Sequence, residues 1–457
     1  MDPEQLRPLR FGVATSAYQI EGSTTADGRG PSIWDTFCTR PGAVADGSDG
    51  SLACDGYRRW AADLDLLAGL GVDSYRFSVA WPRVQPTGCG PAEPRGLDHY
   101  ERVVDGLLER GIAPNVTLYH WDLPQALEDA GGWPVRDTAL RFADYAALVA
   151  GRLGDRVALW STLNEPWCSA FLGYASGVHA PGRRDRDASL AAAHHLLLGH
   201  ALGAQAVRDA LPGADVGIVL NLAPVRPEPG TDPLAADLVD ALQDRLWVDA
   251  LVDGRYPEVL LEQSPVLREG GAVQAGDLAR IAGSAAWLGV NYYTPLRPGP
   301  PGTGPAGHAV GQDSAAYPYA PDFDFCPYPP YTSMGWETDA SGLEDVLRWL
   351  AGRAPGIVLR VTENGVALPD DWRDGSGGVV DDERTAYLRD HLGAVERARQ
   401  AGAPVLEYLA WSLLDNFEWA EGYRQTFGLV SVDPVTGERT PKASYRWYAE
   451  HIAAARG

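Results

Sequence analysis

The sequence predicts a closed (β/α)8 barrel, and three observations lead there. Short apolar runs of strand length alternate with amphipathic helical patterns from one end of the chain to the other. The runs are continuously apolar rather than alternating, as in parallel strands covered on both faces by helices. Eight such units in one chain of 457 residues suit a barrel that closes on itself. An open doubly wound sheet is the competing arrangement. It calls for a glycine-rich phosphate turn after an early strand, and no early strand here is followed by G-x-G-x-x-G.

The first run is 9–18 "LRFGVATSAY", and the helix after it presents Tyr57, Trp60, Leu64 and Leu67 on one face. The second, 73–80 "DSYRFSVA", carries Arg76, and Tyr100, Val103, Val104, Leu107 and Leu108 mark the following helix. The third is 113–120 "APNVTLYH" and the fourth 158–164 "ALWSTLN". The fourth stops abruptly at Asn164, Glu165 and Pro166, a poor place for an ordinary strand to end: a carboxylate is expensive to bury and proline cannot donate to the ladder. The fifth to eighth are 215–222 "DVGIVLNL", 287–294 "WLGVNYYT", 356–362 "GIVLRVT" and 404–412 "PVLEYLAWS". Leu343, Val346, Leu347 and Leu350 mark the helix between the sixth and seventh runs. The stretch 295–340 is too rich in proline, glycine and aromatics for a helix; it is expected to be a long loop folded over the barrel mouth. Residues 1–457 are thus expected to form one catalytic barrel domain.

Composition narrows the function. A net charge of −23 argues against nucleic acid and anionic membranes as partners, both of which need basic patches. No run reaches the ~18 apolar residues of a membrane span, and the first residues lack a secretory pattern. Five scattered cysteines (Cys38, Cys54, Cys89, Cys168, Cys326) without C-x-x-C spacing suit reduced thiols in a cytoplasm better than disulfides or zinc. His194, His195 and His200 lack metal-ligand spacing and are expected to pack, and Cys168 is expected to be a small core thiol. No metal or cofactor is implied.

Barrel active sites lie at the C-terminal ends of the strands. There the sequence places Gln19, Arg76, His120, Trp121, Asn164, Glu165, Asn291, Tyr293, Glu363, Trp411, Glu418 and Trp419. Glu165 and Glu363 end strands on different parts of the barrel and so face each other across its mouth. Two such carboxylates are what glycoside hydrolysis requires. Asn, Gln, His and Trp around them are the hydrogen-bonding and stacking partners of a neutral polyol.

The motifs go further. "FGVATSAYQIEG" at 11–22, "YRFSVAWPRV" at 75–84, "TLYHWDLPQAL" at 117–127, "TLNEPW" at 162–167, "GVNYYTP" at 289–295, "VTENG" at 361–365 and "WSLLDNFEWAEGY" at 411–423 occur in order, at barrel spacing. In these the chain resembles the β-glucosidases of glycoside hydrolase family 1, from residue 11 to "YRWYAEHI" at 445–452. The resemblance implies that Glu165 is the acid/base and Glu363 the nucleophile of a retaining double displacement, with Arg76, Tyr293 and Asn291 orienting the nucleophile. It implies that Gln19, His120, Trp121, Asn164, Glu418 and Trp419 bind the sugar over Trp411. Trp336 would be the platform for the leaving group, and Phe427 would border the 6-hydroxymethyl pocket. The charge of Glu363 is expected to raise the pKa of Glu165.

The partners expected are small β-glucosides or short oligosaccharides cleaved from one end. A non-catalytic sugar-binding protein would have lost a carboxylate, and the thioglucosidase branch has Gln where Glu165 stands. Glu418 would repel a 6-phosphate. A transglucosidase would use the same residues as a hydrolase.

Overall fold

The computed structural model describes residues 7–305, 312–369 and 378–457. Eight strands close a barrel: β1 (Arg10–Ala14), β2 (Ser74–Ser78), β3 (Ala113–Tyr119), β4 (Leu159–Asn164), β5 (Val216–Asn221), β6 (Trp287–Asn291), β7 (Val358–Asn364) and β8 (Val405–Trp411). All neighbours run parallel, and β8 pairs with β1 to complete the ring. Helices follow the strands, among them Gly56–Leu70, Pro94–Glu109, Arg136–Leu153, Arg186–Ala210, Ala340–Arg353, Asp382–Gln400 and Ala443–Ala455. No helix among the described residues is long and apolar enough to cross a membrane.

The three helical faces lie where the periodicity puts them, with two departures. Leu343, Val346, Leu347 and Leu350 are all buried. Leu108 is exposed and Trp60 only half-buried, because each sits at the edge of its apolar stripe. The strand limits moved more. The run 9–18 stops being a strand at Ala14, where the chain turns into the short helix Ala17–Ile20 and the Ala17 N–H donates to Ser78 Oγ at 2.7 Å. The run 287–294 ends at Asn291. The seventh extends past 362 and includes Glu363 and Asn364. Apolar composition marks where a strand is buried, but its end is set by where the ladder lapses.

Inside the barrel, polar groups are paired across strands. Ser74 Oγ donates to Glu407 Oε1 at 2.6 Å, and Arg360 Nη1 to Glu407 Oε2 at 3.2 Å. Two residues further along β2, Arg76 points the same way toward the mouth. The β6–β7 pairing shifts there: Val290 lies opposite Val361, but Asn291 lies opposite Glu363, so Thr362 is skipped. Such bulges re-aim side chains beside active sites. Gly365 closes "TENG" because a Cβ there would collide with the Trp411 carbonyl.

The long connection between β6 and the helix at Ala340–Arg353 is held by a two-residue ladder, Pro298–Gly299 against Asp324–Phe325. Residues 306–311 of the expected 295–340 loop lie outside the described residues. The described part reaches the barrel mouth, as expected: Gln312, Tyr317, Met334 and Trp336 line the cavity there.

Candidate active site

The strand ends surround a cavity that opens to solvent. Glu165 and Glu363 both line it, with His120, Trp121, Asn291, Tyr293, Trp336, Trp411, Glu418, Trp419 and Phe427. Three of these hold a left-handed backbone without being glycine: Trp121 at φ +75°, Glu165 at +43° and Trp419 at +49°. Each such residue costs about 1–3 kcal/mol. Tertiary contacts supply the restraint: the Glu165 N–H donates to the Val219 carbonyl at 2.9 Å, and Trp121 Nε1–H to the Asn164 carbonyl at 3.0 Å.

The two carboxylates are held by different chemistry. Glu363 Oε1 accepts from Arg76 Nη1 at 2.6 Å, and Oε2 from the Tyr293 hydroxyl at 2.7 Å. Arg76 is fully buried, so this is an ion pair out of water, supported by the Tyr293 hydroxyl on Glu363 and by Asn164 on Arg76. Arg76 Nη2 donates to Asn164 Oδ1 at 2.7 Å. Glu165 makes no ion pair with a described residue, and the Arg76 charge acts on it only as a minor influence. Its Oε1 accepts from Asn291 Nδ2 at 2.7 Å and its Oε2 from the Cys168 thiol at 3.2 Å. Asn291 is fixed in turn by Thr362, whose hydroxyl donates to Asn291 Oδ1 at 2.7 Å.

This asymmetry decides where the proton sits. Burial raises both carboxyls. For Glu363 the Arg76 charge and the Tyr293 hydroxyl work against that rise. The Glu165 carboxyl is pushed up to about 8, first by burial and then by the charge on Glu363, with Asn291 and Cys168 opposing. The sequence-based expectation had the direction right but named the smaller cause. Glu363 is also raised on balance, by burial, but the Arg76 charge and the Tyr293 hydroxyl favour its ionised form, so of the two carboxyls Glu165 is the one better placed to hold a proton.

His120 is neutral, because burial and the Arg76 charge hold it well below the usual histidine range. Asn164 Oδ1 accepts from Arg76, so its Nδ2 is the donor to His120 Nε2 at 3.0 Å. That fixes the imidazole proton on Nδ1, which has no partner among the described residues. The ring stacks between Trp411, with centroids 6.0 Å apart, and Trp419, 5.9 Å apart. Glu418 is raised to about 8 by burial and by the charges of Glu363 and Glu165. Phe427 packs edge-on against Tyr293 at 5.9 Å and beside Trp336 at 6.3 Å.

Gln19 and Asn164 are fully buried and stand just behind the cavity wall. Gln19 Nε2 donates to Glu418 Oε2 at 3.3 Å and to Asn416 Oδ1 at 3.0 Å, while its Oε1 accepts from Ser16. Asn164 joins Arg76, His120 and Asn291 into one network. His194, His195 and His200 are buried elsewhere and bonded to Tyr256 and Asp277, to the Trp133 carbonyl, and to Thr162 respectively.

Sequence reasoning passed over several wall residues. Cys168 is buried in the hydrophobic core, as expected, and its thiol also donates to Glu165 Oε2. A wide π-helical turn over Cys168–Ser176 follows Glu165, and no spacing rule announces it. Asn221 was within reach, since it ends β5 as Asn164 ends β4. Gln243 and Gln312 come from a helix and from the long loop, and carried no signal.

Comparison with known proteins agrees with this geometry. Residues 7–456 match Glycosyl hydrolase family 1. The chain is 47% identical over 459 residues to a bifunctional β-D-glucosidase/β-D-fucosidase of Bifidobacterium breve, covering 97% of both chains. Its fold is similar to a psychrophilic β-glucosidase of Micrococcus antarcticus, with a TM-score of 0.92 at 43% identity, over 100% of this chain and 99% of the other. It is also similar in form to the Thermotoga maritima β-glucosidase in complex with glucoimidazole, with a TM-score of 0.89 at 39% identity, over 98% of each chain. A match over nearly the whole length, joined to paired carboxylates at a barrel mouth, places the chain in glycosyl hydrolase family 1, as a glycoside hydrolase.

Proposed function

We propose that the chain is a retaining β-glucosidase, releasing terminal β-D-glucosyl residues from small glucosides and short oligosaccharides. The observation that carries this reading is the unequal support of the two carboxylates: a cation and a phenol on Glu363, an amide and a thiol on Glu165. Glu363, kept ionised, attacks the anomeric carbon. Glu165 gives its proton to the glycosidic oxygen as the bond to the leaving group breaks. The resulting ester removes the charge of Glu363, and with it part of what raises Glu165. Glu165 then takes a proton from water, whose oxygen displaces Glu363 from the anomeric carbon. Two displacements at one carbon restore the configuration, and the mechanism asks for carboxyl groups ~5 Å apart.

The remaining residues bind the sugar in this reading. His120 offers its Nδ1–H, Glu418 its carboxyl held by Gln19, Trp419 its indole, and Trp411 a flat apolar face. Asn164 reaches the 2-hydroxyl side, and Phe427 borders the 6-hydroxymethyl. Trp336 carries the leaving group. The free cysteines Cys38, Cys54, Cys89, Cys168 and Cys326 suit a reducing compartment, and we place the enzyme in the cytoplasm.

Proton NMR of an aryl β-glucoside digest tests the mechanism. β-Glucose is expected to appear first and to mutarotate only later. α-Glucose as the first product would rule out the double displacement.

The pH profile tests the role of the thiol. kcat/KM should fall as pH rises through about 8, where Glu165 loses its proton. The Cys168 hydrogen bond favours the ionised form, so its removal raises the pKa. Cys168→Val should therefore move the alkaline limb up by ~0.5–1 pH unit, while Cys168→Ser, which keeps a donor, should move it less. An alkaline limb unmoved in Cys168→Val would show that the contact does not tune Glu165.

A further inference from the structure

The cavity has two unlike sides. On one, His120, Trp121, Trp411, Glu418 and Trp419 come from the segments after β3 and β8, which are separated in the ring by β1 and β2. The other side is built by the segments after β4, β5 and β6, and there apolar groups prevail: Leu172, Leu222, Leu296, Met334 and Trp336. Such a wall offers surface to a leaving group but little to distinguish one from another.

Trp167 Nε1 and His179 Nδ1 on that side lack a partner among the described residues, but Gln312 leaves both a donor and an acceptor open. It lines the same wall, is only 6% exposed, and has no hydrogen-bond partner for Oε1 or Nε2 among the described residues. Gln243, on that wall too, is not in this condition. Its Nε2 donates to the Asn221 carbonyl at 2.9 Å and its Oε1 accepts from the Tyr317 hydroxyl at 2.8 Å. A buried amide with neither group satisfied costs about 1–3 kcal/mol. Buried polar groups left unpaired in a folded chain call for an explanation. On the wall of a binding cavity, a ligand that brings its own donor and acceptor is one. A sugar hydroxyl is both at once.

We propose that Gln312 recognises the leaving group, its amide hydrogen-bonding a hydroxyl of a second sugar ring laid against Trp336, an interaction that β-linked glucose disaccharides gain and hydroxyl-free aglycones lack. The inference rests on the β-glucosidase reading above and adds the substrate class to it. Sites with polar groups aimed at a substrate hydroxyl discriminate sharply, because the wrong substrate leaves those groups unpaired. An apolar wall alone discriminates poorly.

The test compares cellobiose with phenyl β-glucoside, whose aglycone has no hydroxyl, in the wild type and in Gln312→Leu. In the variant, kcat/KM for cellobiose should fall about tenfold more than kcat/KM for phenyl β-glucoside. The thermal midpoint of the variant should equal or exceed that of the wild type, since an unsatisfied amide has been removed. Equal losses on both substrates would mean that Gln312 only shapes the loop, and would overturn the proposal. So would a variant with neither loss, or a wild type that cleaves the phenyl glucoside but not cellobiose. A wild type that cleaves neither substrate would instead overturn the β-glucosidase reading itself.

Discussion

Glu363→Ala is expected to lose turnover by ~10⁴-fold or more, since the covalent route disappears with its nucleophile. What remains is instructive. Arg76 is fully buried, and its Nη1 loses the carboxylate at 2.6 Å while Nη2 keeps Asn164. Glu363→Ala thus leaves a cation facing a small hole, which is destabilising by about 3–5 kcal/mol when no counter-charge enters. An anion that fits the hole should be drawn to it. Added azide should restore part of the activity with an aryl glucoside that has a good leaving group, and the product should be the α-glucosyl azide, with configuration inverted by a single displacement. Glu363→Gln, which keeps the volume and an acceptor for Arg76, should be equally inactive but unfold closer to the wild type. Mass and NMR analysis of the azide product decides the matter. Substantial activity in Glu363→Ala without azide would remove Glu363 from the reaction.

How much of this was legible beforehand varies with the kind of force involved. The barrel was legible because parallel strands buried on both faces must be continuously apolar, as "GIVL" and "ALW" are. The positions of Glu165 and Glu363 were legible because a carboxylate at the end of such a run has few structural uses. Strand ends were not, since the lapse of the ladder after Ala14 depends on Ser78 from the next strand. The role of Cys168 was hidden by the backbone. Glu165 holds a left-handed φ, Pro166 follows, and the helical turn that starts there, with the Cys168 N–H donating to the Glu165 carbonyl at 3.0 Å, brings the residue three positions on back against the carboxylate. The spacing is helical, but nothing in an apolar strand run announces that a helix begins at its end. Gln312 was hidden differently, in a loop where composition is informative only in aggregate.

Glu165→Gln should show two effects with opposite signs. For a poor leaving group such as the glucose of cellobiose, departure needs a proton, and kcat/KM should fall by ~10³–10⁴-fold. For a dinitrophenyl glucoside the leaving group departs unaided, so the first displacement should be little affected. The second still lacks its base, and the variant should therefore release a burst of phenol and then slow as glycosyl-enzyme accumulates. The second effect is on stability. The folded-state pKa of Glu165 is raised to about 8, above the ordinary 4.5 of the unfolded chain. Between those values the folded protein binds the extra proton, so the contribution of Glu165 to stability is full below the unfolded value and lost as pH rises through about 8. Gln cannot ionise and escapes that loss. Glu165→Gln should consequently melt higher than the wild type at pH 8–9, with the advantage shrinking toward pH 4. The charge of Glu165 also raises Glu418, so removing it should relieve that carboxyl as well. A burst without the stability gain would mean that the carboxylates are better solvated than their burial implies. A stability gain without the burst would mean that Glu165 is not the base for the second displacement. Both together would tie the strain of holding these carboxyls out of water to the proton the reaction consumes.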